Sequence, residues 1–587
     1  MNSRLVRLGG ALILGAAALL VWASGPAAAR PAEQGVPAVQ LPPGFALRVF
    51  ASGIPTVRFL SYSPAGDLYA GQLEGRDSAI TALPDRDHNG QADRAIRVAT
   101  GLYSPNNVTF RPAGFGTVFA TGAIDQVRVY TDTRGDLSFA TSKLLVGNLS
   151  NVTSGRHKTK TVLYGPDGLL YLSKGSFDDD PTHADPAAGI WRYNPDGSGE
   201  QKVAAGLRNA VGLAWDAVGG ALWADDNGSD DQGRNQPHDE LDQIVVGGDY
   251  GWPFCIDNQV HYAGAPAHDC SQTRAPAVLL APHAGALGMA FYSGGTFPAR
   301  YWGGLFVAYH SIQYPEQRGV YFIPFTDGKP SGGPELFMGG TNNRWMGLAI
   351  NPYDGSLMVS DDREGRIFQV VYTGPPPAPI PPAAAPPAAP GKPQPVMAAP
   401  LPGFARRFPE TNHTLNGAFL QFWFWNGGLA RYGFPISDPM TEKLADGKTY
   451  TVQYTQRARL EYHPENRGSP YEVLLGRLGA DLVAGRTESA FQPANPQPGA
   501  QFVTETRHNL SGPIADYWRR NGGVPVFGYP LSEVFTEVSP TDGKPYQVQY
   551  FERNRLEYHP ENAGTPNEVL LGLLGVQSYQ ARYGPLP

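Results

Sequence analysis

Residues 206–253 read GLRNAVGLAWDAVGGALWADDNGSDDQGRNQPHDELDQIVVGGDYGWP and contain the pattern from which the fold is predicted. VGLAW (211–215), a Gly-Gly turn and ALWA (221–224) predict two antiparallel strands. We expect an acidic loop to follow, with Asp225, Asp226, Asp230, Asp231, Asp239, Glu240 and Asp242. Crowded carboxylates repel one another unless a cation neutralises them, and calcium prefers oxygen ligands. The stretch therefore predicts either a calcium site or a solvated acidic loop.

The same pattern of apolar strand, turn and second strand recurs along the chain. It is found at residues 59–71, 108–122, 162–175, 213–228, 289–309 and 348–362. Successive starts lie roughly 50 to 75 residues apart, which leaves room for a four-stranded sheet in each unit. One such sheet cannot cover both of its faces, but a ring of sheets can. We therefore predict a mainly β fold in which residues 40–373 form a six-bladed β-propeller.

The composition agrees with short strands joined by many turns. The 587 residues include 71 glycines and 55 prolines, and only 17% of them are charged. A chain of this length is expected to contain several domains. The net charge of −7 provides no basic surface of the kind that binds nucleic acid, so we expect no nucleic-acid partner.

The N-terminal residues 1–29 have the pattern of an export signal. Arg4 and Arg7 precede an apolar run from Leu8 to Trp22, and three alanines at 27–29 follow as a small-residue cleavage site. An uncleaved membrane anchor is the alternative, because the apolar run approaches the minimum spanning length. The signal predicts a protein that is secreted, periplasmic or associated with the cell envelope.

The chain contains two cysteines, Cys255 and Cys270. In an exported protein the two are expected to form a disulfide that closes the short loop between them. Neither belongs to a C-x-x-C-H motif, so the sequence gives no sign of attached haem.

The C-terminal third begins with a spacer and contains a duplication. Residues 374–403 are rich in proline and alanine, and we expect a stiff linker there. Residues 404–480 and 502–577 then form two small α+β repeat modules that share NGG, YHPEN and EVLLG motifs. The NGG…FGYPLS portion is similar to LGFP-type repeats, a resemblance that implies attachment to a cell-envelope polymer. His463 and His559 recur in both copies without a nearby nucleophile, so we expect structural roles for them.

Three stretches together carry a resemblance to a known family. They are GLRN…ALWADDNG…GGDYGWP, GRHKTKTVLYGPDG at 155–168 and TNNRWMGLAI at 341–350. In these the chain resembles the soluble sugar dehydrogenases that use pyrroloquinoline quinone (PQQ), most closely the sorbosone-dehydrogenase branch, over roughly residues 40–373. The resemblance implies a propeller fold, a sugar substrate, an external electron acceptor, and PQQ and Ca²⁺ as cofactors.

The resemblance also implies a role for particular residues. His157 corresponds to the catalytic base, and Arg208, Asn209 and Arg344 to residues that contact the quinone. Calcium would be bound by main-chain oxygens of the Asn227–Gly228 pair. An adjacent structural calcium site would involve Asp239, Glu240 and Tyr250.

Two positions depart from the family pattern. Arg156 precedes His157 where the family often has aspartate, and Met346 stands where glucose-oxidising members have a second arginine. Those members also use a lysine that has no clear counterpart here, and His310 and Arg318 are the nearest substitutes.

A separate acidic stretch has the spacing of an EF-hand calcium loop. Its oxygen ligands at positions 1, 3, 5 and 9, with glycine at position 6, are Asp85, Asp87, Asn89 and Asp93. Position 12 is Ile96, so the acidic ligand expected there is missing. A weak calcium site and an Asp-rich turn both remain open.

Taken together, the sequence favours an exported quinone-dependent dehydrogenase acting on a sugar, an aldose or a related polyol. Two other classes of protein remain open. One is a calcium-dependent propeller hydrolase of lactonase type, and the other is a propeller without catalysis that serves as a binding module.

Overall fold

The structure is a computed structural model. It describes residues 36–586 apart from residues 64–65, 74–77, 111–116, 133–135, 140, 150–156, 166–167, 217–219, 294–295, 327, 341, 376–389, 402–404, 409, 467–470, 564 and 566. The export signal at 1–29, Arg156 and most of the linker therefore lie outside the described residues. The described part is mainly β with a few short helices, as the sequence predicted. In that part, no helix has the length and apolar character needed to cross a membrane.

Six antiparallel sheets occupy residues 45–372. Each predicted strand–turn–strand segment forms the first two strands of one sheet, because alternating apolar residues and a tight turn favour hairpins. Sheet one contains Val57–Tyr62, Leu68–Gln72, Ser78–Leu83 and Ile96–Leu102; sheet two contains Asn107–Phe110, Thr117–Gly122, Val127–Asp132 and Thr141–Val146. Sheet three contains Val162–Tyr164, Leu170–Lys174, Gly189–Tyr193 and Gln201–Ala205, extended by the parallel strand Gly248–Asp249.

The second half of the ring repeats this arrangement. Sheet four contains Ala210–Trp215, Leu222–Asp226, His238–Ile244 and Val278–Pro282; sheet five contains Ala286–Phe291, Leu305–Tyr309, Gly319–Ile323 and Glu335–Gly339. Sheet six contains Trp345–Ile350, Leu357–Asp361 and Arg366–Tyr372, and its fourth strand is the N-terminal Phe45–Ser52. Two-stranded pairs form at Cys255–Ile256 with Val260–His261 and at Phe325–Thr326 with Lys329–Pro330.

The first strands of neighbouring sheets pack against one another in a closed series, sheet six returning to sheet one. Closure is completed by strand Phe45–Ser52, which pairs antiparallel with Arg366–Tyr372 and so joins the two ends of this part of the chain. Because the N-terminal strand pairs with a strand from the other end of this part of the chain, neither end of the ring is left open.

The hydrophobic core lies between successive sheets and at the axis of the ring. Between sheets three and four, for example, Tyr171 and Ile190 pack against residues of the next sheet such as Leu222. At the axis, four buried side chains come from four different first strands, and these are Phe59, Val211, Leu287 and Met346. Met346, one of the two positions at which the sequence departs from the resembling family's pattern, thus fills an apolar axial cluster.

The two C-terminal modules have the same order of elements. The first contains Ala405–Phe408, His413–Asn416, helices α1 (Gly417–Trp425) and α2 (Gly428–Tyr432), strands Met440–Lys443, Thr449–Tyr454, Arg459–Tyr462 and Val473–Leu475, and helix α3 (Leu478–Val483). The second contains Gln501–Val503, His508–Leu510, helices α4 (Gly512–Arg520) and α5 (Gly523–Phe527), strands Phe535–Val538, Pro545–Tyr550, Arg555–Tyr558 and Val569–Leu571, and helix α6 (Leu574–Tyr583). Each module has its own apolar cluster around Trp423 or Trp518.

The modules also exchange their terminal helices. In α6 of the second module, Tyr579 packs edge-on against Tyr454 of the first at 5.5 Å between ring centroids, and Tyr583 donates a hydrogen bond to the buried Glu442. Conversely, the main chain of α3 in the first module donates from Ala480 to the carbonyl of Glu552 in the second (3.0 Å). Each module therefore closes part of the other, although each has its own apolar cluster.

The linker ends earlier than residue 403, the boundary that the sequence predicted. Met397 forms an isolated antiparallel bridge with Met440, and Leu401 is buried in the core of the first module. Because these residues bury apolar surface, the end of the proline-rich stretch belongs to that module. The predicted disulfide between Cys255 and Cys270 is confirmed.

Candidate functional site

One end of the ring, here called the mouth, is where first strands begin and second strands end. In an antiparallel sheet these two points share one edge. His157, Arg208, Asn209 and Arg344 all lie shortly before the start of a first strand, so the structure places each of them at the mouth. Residues that directly follow second strands lie at the same edge, and among them are Asn227, Gly228 and His310, which the sequence analysis named.

The ring of His157 is oriented by Ser176, which follows the second strand of sheet three. Its Nδ1 lies 2.7 Å from Ser176 Oγ and 3.2 Å from the main-chain oxygen of Ser176. Since a carbonyl oxygen only accepts and the Ser176 hydroxyl donates to Asp178 O at 2.9 Å, Nδ1 carries the hydrogen. In the neutral ring Nε2 is then the basic nitrogen, and it faces Asp179 Oδ1 at 3.7 Å.

A close approach at Gly175 brings His157 and Asn209 together. A Cβ atom at residue 175 would lie 2.6 Å from the Cβ of His157 and 3.0 Å from Oδ1 of Asn209. Only glycine leaves room for both side chains at this point. Two predicted site residues that are about fifty positions apart in the chain therefore become neighbours.

Arg208 is buried, and its guanidinium makes four hydrogen bonds. Nε and Nη2 both donate to Oδ1 of Asp179, at 2.9 and 2.7 Å, and Nη1 donates to the carbonyl oxygens of Asn227 (2.8 Å) and Gly228 (2.7 Å). Asp179 thus joins Arg208 to His157. Paired, charge-assisted hydrogen bonds of this kind fix a guanidinium in one orientation.

Asp226 fixes the main chain at Arg208 and Asn209. Its two carboxylate oxygens accept the main-chain N–H groups of these residues, at 2.7 and 2.5 Å. Burial raises the pKa of Asp226 to about 7, although these hydrogen bonds oppose the shift. Burial therefore favours the protonated form of this carboxyl group more than it is favoured in an exposed aspartate.

A second group of charges surrounds Asp362, which follows the second strand of sheet six. Nε2 of His310 lies 2.9 Å from Asp362, Arg58 lies at 3.5 Å and Arg344 at 4.0 Å. Burial raises the pKa of Asp362, but the hydrogen bond from His310 and the nearby guanidinium charges outweigh it and hold the pKa below its usual value. Burial lowers the pKa of Arg58 to about 10 and also lowers the pKa of His310.

Guanidinium groups outnumber carboxylates in this second group. Arg318 interacts electrostatically with its neighbours, and the group contains Arg58, Arg318, Arg344 and Arg363 against Asp361, Asp362 and Glu364. Arg344 is the most accessible of the arginines bonded to Asp362, with 39% of its side chain exposed. Excess guanidinium charge with an accessible arginine fits an anionic, carboxylate-bearing ligand.

The acidic stretch of sheet four is not the loop that the sequence predicted. Asp225 and Asp226 end strand Leu222–Asp226, whereas Asp239, Glu240 and Asp242 lie on the adjacent strand His238–Ile244, and all five are buried. Burial raises the pKa of each of these carboxyl groups. Only Asp230 and Asp231 lie in the connecting loop, so the solvated-loop interpretation is wrong for most of the stretch.

The residues expected to bind calcium are only partly brought together. The N–H of Gly228 donates to Asp239 at 3.1 Å, and the carbonyl oxygens of Asn227 and Gly228 point at Arg208. Glu240 follows Asp239 on a strand, where successive side chains point to opposite faces. The hydroxyl of Tyr250 is bonded to main-chain atoms of residues 243 and 245. Among the described residues, no cluster of three or more His, Cys, Asp or Glu is arranged to hold a metal ion, and the calcium assignment stays a prediction.

The EF-hand-like stretch forms a tight turn in sheet one. Asp85 accepts the N–H groups of Asn89 and Gly90, and Asp93 accepts that of Arg86. Asp87 accepts the side-chain amide of Asn89 at 2.9 Å. These bonds are those of an Asp-rich turn, and whether the turn also binds calcium stays a prediction.

Four residues of the mouth escaped the sequence analysis, namely Arg58, Ser176, Asp179 and Asp362. The signal for two of them was present, because GSFDDD (175–180) directly follows a second strand and so shares an edge with His157. Arg58 and Asp362 required knowledge that sheets one and six adjoin. That adjacency follows from ring closure and leaves no local trace in the sequence.

The fold and the site define a class: a mainly β protein in which a ring of sheets carries an arginine-rich candidate site at one end. Residues 119–369 match the model of the Glucose / Sorbosone dehydrogenase family. The resemblance stated from the sequence is thereby confirmed for this segment.

Several proteins are similar to the chain over part of its length. An uncharacterized protein of Borreliella burgdorferi is 28% identical over 186 residues, which is 30% of this chain and 49% of that protein. This chain thus spans about half the length of that relative. A family AA12 carbohydrate-active enzyme of Trichoderma reesei has 19% identity and a TM-score of 0.48, covering 59% of this chain and 100% of that structure.

Two further solved structures are similar at comparable distance. The holo PQQ domain of a pyranose dehydrogenase from Coprinopsis cinerea has 18% identity and a TM-score of 0.47, covering 57% of this chain and 97% of that structure. A PQQ-bound aldose sugar dehydrogenase from Streptomyces coelicolor has 19% identity and a TM-score of 0.40, covering 57% of this chain and 99% of that structure.

Proposed function

We propose that the ring of six sheets is a six-bladed β-propeller and that the protein is an exported quinoprotein dehydrogenase. Its substrate would be a sugar, an aldose or a related polyol, and an external acceptor would take up the electrons. The family match of residues 119–369 and the arrangement at the mouth support this proposal.

One observation carries the proposal: Asp179 bridges His157 and Arg208 at the mouth. His157 presents its basic Nε2 on the side of Asp179 and is fixed by Ser176 through Nδ1. A base that takes a hydroxyl proton becomes an imidazolium, and a carboxylate beside Nε2 stabilises that charge. Asp179 therefore replaces, from a distant loop, the aspartate that related chains often have directly before this histidine.

The chain's own residues supply binding and proton transfer. His157 would accept the substrate hydroxyl proton at Nε2 while a hydride leaves the same carbon. Arg208, Asn209 and Arg344 would hold a carboxylate-bearing quinone by charge-assisted hydrogen bonds, with Arg58 adding to the positive field. When bound, pyrroloquinoline quinone would supply the two-electron acceptor chemistry that amino-acid side chains lack.

Calcium would bind beside the same loop. The carbonyl oxygens of Asn227 and Gly228 would be its ligands, since hard oxygen ligands suit this ion, and Asp239, which accepts the N–H of Gly228, would belong to the adjacent structural calcium site. The charge of the ion would favour electron uptake by a bound quinone. The same carbonyl oxygens accept from Nη1 of Arg208, and each has a second lone pair with which it would bind the ion.

The C-terminal modules would attach the enzyme to a cell-envelope polymer. Their duplication favours two weak contacts that act together. The alternative of a lactonase-type hydrolase requires acidic side chains gathered on one cation, and no observation at the mouth favours it over the dehydrogenase. A propeller without catalysis is the outcome if the following experiment fails.

The test is reconstitution of the purified full-length protein with PQQ and Ca²⁺, followed by dye reduction across a panel of sugars, aldoses and polyols. We expect quinone-dependent reduction with at least one substrate class, because the base and the anion-binding arginines share one mouth. Quinone binding without turnover on any substrate would identify a binding module. Absence of quinone binding would contradict the proposal.

A further inference from the structure

Residues 249–275 form a side branch that is closed by the Cys255–Cys270 disulfide. This branch, here called the disulfide segment, leaves sheet four after strand His238–Ile244 and returns to strand Val278–Pro282. The ring of sheets is complete without it. Its position therefore calls for an explanation other than closure of the fold.

The segment places an indole ring against Arg208. The guanidinium carbon of Arg208 lies 5.5 Å from the ring centroid of Trp252, within the range of a cation–π interaction. Trp252 is itself buried, with 7% of its surface exposed, and its main-chain N–H donates to the carbonyl of Gly206 at 2.9 Å. The ring thus supports the same guanidinium whose edges are bound by Asp179 and the carbonyls of residues 227 and 228.

Backbone contact fixes the start of the segment against the residues that lead to Arg208. Tyr250 N–H donates to Ala205 O at 3.0 Å, and Gly206 has a φ of +70°. A Cβ atom at Gly206 would lie 2.2 Å from Oδ1 of Asp249. Glycine at this point allows the segments around residues 206 and 249 to run side by side, so Trp252 and Arg208 keep one relative position.

The segment also contacts the two loops that bind the edges of Arg208. Trp252, Ile256 and Tyr262 form a buried cluster with Ala188, which ends the loop that carries Asp179. Tyr262 packs edge-on against Trp252 at 5.6 Å between centroids. Its hydroxyl lies 2.7 Å from Ser229 Oγ, next to the carbonyls that accept from Arg208.

We propose that the disulfide segment is the positioning element of the candidate site and that Trp252 is the positioning residue for Arg208. The loops that carry Asp179 and the carbonyls of residues 227 and 228 both contact the Trp252 cluster, through Ala188 and Ser229, and the disulfide restrains the chain that builds it. The effect on the quinone rests on the proposed function, because it requires that Arg208 bind the cofactor. The effect on Arg208 itself does not.

The first test needs no cofactor. Phenylglyoxal modifies accessible guanidinium groups, and peptide mass spectrometry reports the modification of Arg208. In the wild-type protein we expect slow modification because the side chain is only 8% exposed. Trp252→Leu should accelerate it at least about threefold, since one face of the guanidinium loses its cover, and Trp252→Phe should restore most of the protection. Trp302→Leu, in sheet five, serves as the matched control and should leave the rate unchanged.

The second test measures the quinone. Trp252→Leu should raise the dissociation constant of PQQ about tenfold with Trp252→Phe close to wild type. In the calcium-loaded enzyme the KM for sugar should change less than the quinone affinity. Selective reduction of the wild-type disulfide should act in the same direction as Trp252→Leu, which covers the case in which the variant folds poorly.

The outcomes separate the two proposals. Wild-type protein that binds no PQQ would contradict the proposed function, and the phenylglyoxal rates alone would then decide the role of Trp252. Equal rates of Arg208 modification and equal PQQ affinity in wild type, Trp252→Leu and the reduced protein would overturn the positioning role.

Discussion

At the scale of single residues, the candidate site depends on which nitrogen of His157 carries the proton. The main-chain oxygen of Ser176 accepts only, so it fixes Nδ1 as the donor and leaves Nε2 basic on the side of Asp179. His157 itself could be predicted from the GRHKTKTVLYGPDG motif. Its partners Ser176 and Asp179 were missed, although GSFDDD (175–180) directly follows the second strand of the same sheet and so reaches the same edge.

Replacement of His157 by alanine tests its assignment as the base. We expect turnover in dye reduction to fall by at least about a hundredfold, the usual effect of losing a general base. The PQQ dissociation constant and the melting temperature should stay close to wild type, because the cofactor-binding arginines are retained. The exposed His183 provides the matched control, and His183→Ala should keep full turnover. Unchanged turnover in His157→Ala would remove this residue from the mechanism.

At the scale of elements, strands Leu222–Asp226 and His238–Ile244 concentrate five buried carboxyl groups beneath the mouth. Main-chain N–H groups bind several of their oxygens, but burial still raises their pKa values, to about 7 for Asp226 and about 6 for Asp239. A protein that retains such acids on buried strands is stabilised by protons or by a cation. Stabilisation by protons predicts a dependence of stability on pH, and stabilisation by a cation predicts a dependence on calcium.

The first concerns the stability of the metal-free protein as a function of pH. Asp226 and Asp239 titrate near pH 4 in the unfolded chain, so between pH 4 and about 7 the native state binds more protons. Stability from these groups is thus fully present below pH 4 and is lost as pH rises through 6 to 7. We expect Asp226→Asn to flatten the fall in melting temperature between pH 5 and 8.

The size of this effect is bounded by one proton per group, about 1.4 kcal/mol for each pH unit. The exposed Asp516 lies in the second C-terminal module, and Asp516→Asn should leave the slope unchanged. A pH slope that is identical in wild type and Asp226→Asn would show that Asp226 is ionised in the native state throughout this range.

The second concerns calcium. Removal of Ca²⁺ by a chelator should abolish dye reduction and lower the melting temperature, because a ligand bound only by the folded state stabilises it. Re-addition of Ca²⁺ should restore both, and Asp239→Asn should weaken that recovery. If neither activity nor melting temperature responds to the chelator, the calcium assignment is wrong.

At the scale of the whole molecule, the ring and the C-terminal modules are built on separate apolar clusters. Within the C-terminal part, exchange of helices α3 and α6 makes the two modules mutually dependent. Buried Glu442, for example, accepts from Tyr454 of its own module and from Tyr583 of the other. The loss of one module is therefore expected to destabilise the other as well as to remove half of any paired contact.

A chain that ends at Thr373 tests this division of labour. We expect it to retain full sugar-dependent dye reduction and an unchanged melting transition for the ring, since ring closure by Phe45–Ser52 and Arg366–Tyr372 is intact. It should fail to sediment with cell envelopes, whereas residues 390–587 alone should sediment. Loss of activity in the shortened chain, or undiminished envelope binding, would each contradict the assignment.

The sequence by itself determined much of this protein. The strand pairs could be predicted from alternating apolar residues and tight turns. The disulfide could be predicted from the two cysteines and the export pattern, and the C-terminal duplication from the similarity between the two repeats. These features are local or repeat along the chain, so they can be recognised without coordinates. His157, Arg208 and Arg344 could also be named, because each lies in a short motif beside the start of a strand.

Tertiary structure alone decided which side chains meet. Ring closure places Arg58 of sheet one beside Asp362 of sheet six, about three hundred residues along the chain. Most carboxyl groups of the predicted acidic loop lie on paired strands and are buried. Trp252 and Tyr262, from a separate segment, pack beside Arg208. Helix exchange between the modules is equally invisible in either repeat alone. Each of these depends on contacts between distant segments, and such contacts leave no periodicity or spacing in the sequence.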